Sequence, residues 1–211
     1  FVSRSADLTN LDPLAIAGAD RSVGRLGSEL IVYSNATPGG VYYIGVKSED
    51  QQAADYALFA VASESPFSAL DDEGNQRVPC TVFAIPDGTP DQPGGTTCVC
   101  IATMPMTVQR VVATNTITHQ NPGDLIGTLS HEDVSAVLNN HYNWLDESGP
   151  TATYVYDDSD EEPVLGIPPD GPGALKDFLG EEAQGVWFFD IVDNALQHTG
   201  RNRYHLKAQP L

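Results

Sequence analysis

The chain has 211 residues, enough for one large or two small domains, and an apolar content of 41% suffices for a packed core. Its 29 Asp and Glu against 10 Lys and Arg give a net charge of −19, which makes nucleic acid and anionic membrane poor partners and divalent cations good ones. No apolar run approaches the roughly 20 residues of a bilayer span, so no membrane insertion is expected.

Phe1-Val2 reads as the middle of a strand, so the sequence is expected to be the remainder of a longer, processed or truncated precursor. Glu29–Tyr33 (E-L-I-V-Y), Val41–Lys47 (V-Y-Y-I-G-V-K) and Tyr56–Ala62 (Y-A-L-F-A-V-A) are predicted strands. Pro38-Gly39-Gly40 breaks the first pair and Ser48-Glu49-Asp50 begins the second break. Asn35-Ala36-Thr37 fits a glycosylation sequon, but Pro38 after it favours a plain turn. G-G-V-Y-Y-I-G-V followed by A-D-Y-A-L-F-A-V resembles the second half of a bacterial pre-peptidase C-terminal domain, over about residues 1–64. That resemblance implies a β-sandwich whose opening acidic strand is missing. Three or four strands with an open edge are marginal alone, so another chain or segment is expected to complete them.

Residues 67–77, with the polar run Ser68–Arg77, read as a short linker to a second domain over 78–211. There, Val82–Ile85, Thr97–Met106, Val108–Thr118, Asp124–Ser130, Thr151–Tyr156, Gly185–Asp193 and Arg203–Ala208 are β-type runs, and Val134–Leu138 and Ala174–Leu179 suit short helical turns. Asp91–Gly95 is expected to be a loop. The fold class is therefore all-β, two tandem sandwiches of jelly-roll type with the first incomplete. Gly185–Leu206 reads as a closing hairpin: Trp187, Phe189 and Ile191 alternate on one face with Asp193 at the strand end, and Tyr204, Leu206 and Ala208 alternate on the next strand.

The cysteines are Cys80, Cys98 and Cys100. C-x-C with one distant Cys lacks the fourth ligand of a zinc site, so a disulfide from Cys80 to either Cys98 or Cys100 is expected, in a secreted protein. Buried, inert thiols are the alternative. Between Gln120 and Thr199 the only base is Lys176, against sixteen acids. Asp87, Asp124, Asp157, Asp158 and Asp193 all stand at strand ends, where they either cap turns through Asx-type hydrogen bonds or hold Ca²⁺, which needs six to eight oxygens. A calcium ion on these five is the expectation.

Nucleophilic chemistry finds no support. No G-x-S-x-G occurs, His131-Glu132 lacks the second His of H-E-x-x-H, and Asp157–Glu162 lacks the spacing of an EF-hand. His119 suits a structural place beside Gly123-Asp124, and His131, His141, His198 and His205 share no spacing. Tyr142 and Trp144 suit an aromatic patch for carbohydrate or a partner, or ordinary loop packing.

Several motifs of the second half occur in one order: Ile85-Pro86-Asp87, His119-x3-Gly123-Asp124-Leu125 with Leu129 after it, Tyr156-Asp157-Asp158-Ser159, Pro172-x2-Leu175-x2-Phe178-x-Gly180, and Gly185-x-Trp187-x-Phe189-x-Ile191-x-Asp193. In this order they resemble the P domain that follows the catalytic domain in kexin- and furin-like proprotein convertases and in many secreted bacterial proteases. The resemblance implies an eight-stranded jelly roll without catalytic duty. Two departures stand out: His198-Thr199-Gly200 replaces a family Asp before the closing turn, and Ser130-His131-Glu132-Asp133 replaces a Pro or Asp-Gly turn. The chain is thus expected to be a non-enzymatic extracellular or cell-surface protein, either a structural or adhesive module assembling with copies of itself, or an accessory region of a secreted protease whose cleaved catalytic domain is its partner.

Overall fold

The computed structural model describes all residues except 11, 24–28, 49–52, 81–82, 142–150, 161, 197–199 and 211, and the side chain of residue 202. Phe1–Pro66 and Phe67–Leu211 form two compact units. In the first, β1 (Val2–Ser3) pairs antiparallel with β2 (Tyr43–Ile44), and α1 (Pro13–Ala17) is a single short helix. The Asp12 carboxylate accepts from the Leu14 and Ala15 amides at its start, and Pro13 sits where a missing N–H matters least.

Of the three strands expected in this unit, Val41–Lys47 narrows to Tyr43–Ile44, and Glu29–Tyr33 and Tyr56–Ala62 form none. Alternation makes a segment fit to be a strand, but a strand also needs the backbone of a partner. Tyr56, Leu58 and Phe59 accordingly stay exposed. Among the described residues the sheet of the first unit is the two-stranded β1–β2 ribbon.

The second unit carries β3 (Ala69–Leu70), β4 (Gln76–Pro79), β5 (Phe83–Ile85), β6 (Gly94–Ala102), β7 (Val108–His119), β8 (Leu125–His131), β9 (Val134–Asn140), β10 (Thr151–Tyr156), β11 (Gly185–Asp193) and β12 (Gly200–Pro210). They form two antiparallel sheets, one in the order β10-β7-β12-β4-β3 with β5 also on β12, the other β6-β11-β8-β9. This is the all-β sandwich that the alternation predicts.

Three local expectations change. The segment read as a linker contains the β3–β4 hairpin, tied by Asp71, whose carboxylate accepts from the Glu73 and Asn75 amides and from Arg77 Nε at 2.9 Å. Desolvation works upward on that carboxyl, but the Asn75 and Arg77 bonds prevail and hold it at about 2. Val134–Leu138 lies in β9, not a helical turn, because β8 offers a ladder through the turn at Glu132, which takes φ 51°. Gly94-Gly95, expected in a loop, opens β6. A Cβ on Gly94 would lie 2.4 Å from the Pro86 carbonyl oxygen, so only glycine lets the two backbones approach there.

The stretch Gly185–Leu206 is not a hairpin. β11 lies between β6 and β8, whereas β12 lies between β7 and the β4/β5 edge, so the chain crosses from one sheet to the other. Both strands bury one face against the same core, and crossing sets those faces opposite each other instead of side by side. Phe189 stacks on Tyr204 with centroids 4.3 Å apart and planes at 4°, and Trp187 is fully buried beside Phe178, its Nε1 donating to the Ala183 carbonyl at 2.9 Å. The 3₁₀ turn Leu175–Phe178 closes the core below, in the segment expected to be a helical turn.

The core also buries polar atoms. Tyr204 is in register with Asn115, and the hydroxyls of Tyr156 and Tyr204 and the Asn115 amide have no hydrogen-bond partner among the described residues. A buried unpaired hydroxyl destabilises, so Tyr156→Phe is expected to raise stability by about 1 kcal/mol in urea denaturation. A loss of stability would instead assign the hydroxyl a partner such as an internal water.

Candidate functional site

The expected metal positions fall at two separate ends of β7. At its C-terminal end, His119 is buried with Nδ1 2.8 Å from the Asn121 carbonyl and Nε2 3.2 Å from Asp193 Oδ2. Asp193 ends β11 with no exposure, and its Oδ1 accepts from the Ala195 amide at 3.0 Å. Asp124 follows the turn after β7, and its Oδ1 accepts from Asn121 Nδ2 at 2.8 Å. Asp87 is exposed on the loop after β5. That loop reaches the same end through Gly88, where a Cβ would lie 2.0 Å from the Asp193 carbonyl oxygen.

At the other end, Arg110 and Asp157 form a buried ion pair between the start of β7 and the chain leaving β10. Arg110 Nε lies 3.3 Å from Asp157 Oδ1, and Nη2 reaches both Oδ2 and the Pro163 carbonyl, the latter at 2.8 Å. The Ser159 and Leu165 amides donate to the same carboxylate. Desolvation alone would raise the Asp157 carboxyl, but Arg110 and these two amides outweigh it and hold it below the usual range. Asp158 receives the Leu175 and Lys176 amides at 2.8 and 3.0 Å, yet desolvation prevails and lifts its carboxyl above the ordinary value.

Neighbouring carboxyls pushed in opposite directions are a pattern of acid–base pairs. Here both are turned inward to protein donors, one clamping Arg110 and the other the start of the 3₁₀ turn.

Arg110 and His119 are about 30 Å apart along an extended strand, so the five acids cannot share one ion. Asp87, Asp124 and Asp193 stand on backbones that meet at one end, but their carboxylates do not converge as a group, and Asp124 and Asp193 already accept hydrogen bonds from protein groups. The residues present do not fit a calcium shell of six to eight oxygens built on the whole set.

Among the described residues, the His, Cys and acidic ligand atoms that do converge are the sulfurs of Cys80, Cys98 and Cys100, all within 4.8 Å of one another. Two of them are bonded: Cys80–Cys100 is a disulfide with Cα atoms 5.6 Å apart, and Cys98 is buried beside it, outside the bridge. The expected bridge from Cys80 therefore goes to Cys100.

His131 is buried in the core. It stacks on Trp187 with centroids 4.2 Å apart, and its ring nitrogens lie 2.9 and 2.8 Å from the Val186 and Glu182 carbonyls. Tyr142, Trp144 and His198 lie outside the described residues. The His119–Asp193 and Arg110–Asp157 pairs escaped the sequence reading. Arg110 alone left a signal, as a single charge inside the apolar run V-Q-R-V-V-A, where a buried base requires a partner.

No protein-family model matches the chain, and no curated protein does. Among solved structures, the chain is similar to the crystal structure of the Aeromonas sobria serine protease (ASP) and chaperone (ORF2) complex, with 18% sequence identity and a TM-score of 0.38. The similarity covers 64% of this chain and 26% of that one. No helix among the described residues is long and apolar enough to cross a membrane.

Proposed function

We propose that the chain is a non-catalytic module of an extracellular or cell-surface protein, acting through the surfaces it presents to a protein partner or to copies of itself. The observation that carries this is the use of its acids: Asp124, Asp157, Asp158 and Asp193 all bind groups of their own fold. The Cys80–Cys100 disulfide supports an oxidising compartment. A second reading, as an accessory of a secreted protease, is favoured by the P-type motifs, because Asp157, Asp158, Leu175, Phe178, Trp187 and Asp193 each hold a joint of the sandwich.

On this reading folding does not depend on calcium, since protein donors already satisfy these carboxylates. Thermal melting with and without EGTA, combined with a panel of chromogenic peptide, ester and glycoside substrates, tests both points. The expected result is an unchanged melting temperature and no turnover above buffer. A fall of several degrees in EGTA would restore calcium as a structural ligand. Turnover abolished by Asp193→Asn or Asp157→Asn in folded protein would overturn the non-catalytic reading.

A further inference from the structure

None of the 29 acids of this strongly acidic chain lies on the six strands of the β10-β7-β12-β4-β3 sheet with β5, yet the sheet's outward side is basic. Along β12 the inward residues Tyr204, Leu206 and Ala208 are fully buried, which turns Arg201, Arg203, His205 and Lys207 outward. Alternate residues of a strand repeat every 7 Å or so, giving a straight row of cationic heads. On the neighbouring strand, Thr118, Thr116 and Thr114 stand in register with Arg201, Arg203 and His205. Beyond them, Thr151 and Thr153 of β10 hydrogen-bond to Thr118 and Thr116 at 2.9 and 3.0 Å.

The row is not neutral. Lys207 lies 3.7 Å from Glu73, but Arg201 and Arg203 are exposed and form no ion pair among the described residues. Burial, followed by the charges of Arg203 and Arg77, holds the His205 imidazole below the usual histidine range, as expected of crowded bases. At physiological salt, charges more than about 8 Å away are largely screened, so this row rather than the net −19 governs an anion resting on the sheet.

We propose that the outward face of β10, β7 and β12 binds a linear acidic polysaccharide, sulfated or carboxylated, laid along β12. The arginines take its anionic groups and the threonine hydroxyls, which both donate and accept, take its hydroxyls. The open, flat face suits an extended polymer. Among the described residues of these three strands, no Phe, Tyr or Trp turns outward as a stacking platform for nucleic-acid bases, and His205 is the one outward ring. No large apolar anchor of the kind a protein interface requires stands on the face.

This rests on the non-catalytic reading above and adds a polysaccharide ligand to the protein partner proposed there. The two readings fail separately, because absence of polysaccharide binding leaves the substrate-panel result standing.

The test is equilibrium binding of the whole chain to immobilised dextran sulfate at 50 and 200 mM salt. Neutral dextran and polyglutamate are run alongside. Binding to dextran sulfate that weakens with salt is expected, with polyglutamate at least tenfold weaker and neutral dextran inert. Arg201→Ser with Arg203→Ser should weaken binding at least tenfold at an unchanged melting temperature, and the paired Lys replacements should keep most of it. No binding at 50 mM salt, or an unaffected Ser double variant, would overturn the proposal. Polyglutamate binding as tight as dextran sulfate would overturn it in favour of an acidic protein.

Discussion

Asp157→Ala is expected to destabilise the second unit by about 3–5 kcal/mol, a fall of roughly 10 °C or more in melting temperature. The change strands Arg110, 5% exposed, without its counter-charge, and leaves the Ser159 and Leu165 amides without their acceptor. Only the Pro163 carbonyl still faces the guanidinium. Removing both charges together should behave differently. Arg110→Met with Asp157→Leu eliminates the buried charge as well as its partner and is expected to recover most of the loss. A double variant as unstable as the single would show that packing around the pair, not its charge, is what matters.

The same pair sets an acid limb. The Asp157 carboxyl lies below its unfolded range, so its contribution is complete above about pH 4 and disappears as pH falls through the folded value. Urea midpoints measured between pH 6 and pH 2 should therefore fall more steeply for the wild type than for the double variant.

Cys80→Ala is expected to cost about 3 kcal/mol, the usual stabilisation from closing a loop of this length, because Cys80 and Cys100 are 20 residues apart. Cys100→Ala should cost less. Cys98 is buried on the same inward face of β6, with its sulfur within 4.8 Å of Cys80, so it can replace Cys100 as the bridging partner. Non-reducing mass mapping of Cys100→Ala should find a Cys80–Cys98 bridge, and dithiothreitol should lower its melting temperature. In Cys80→Ala the reductant should have no effect. Equal losses in the two variants, with free thiols in both, would refute the exchange of partners.

Residue order alone determined which faces of the second unit turn inward. Trp187, Phe189 and Ile191, and Tyr204, Leu206 and Ala208, recur at period two and are all buried, because alternation along an extended backbone is a local property. The same alternation in Tyr56–Ala62 produced no strand, since pairing needs a second backbone that alternation does not supply. Only the tertiary structure decided which strands lie side by side. It placed β11 and β12 in opposite sheets where the sequence suggested a hairpin, as two buried faces can meet across a core as readily as along one sheet. It also divided the five candidate acids between two ends of β7, joining Arg110 to Asp157 and His119 to Asp193 across 47 and 74 residues. Contacts at such separations follow from register and core packing, which no local stretch of sequence encodes.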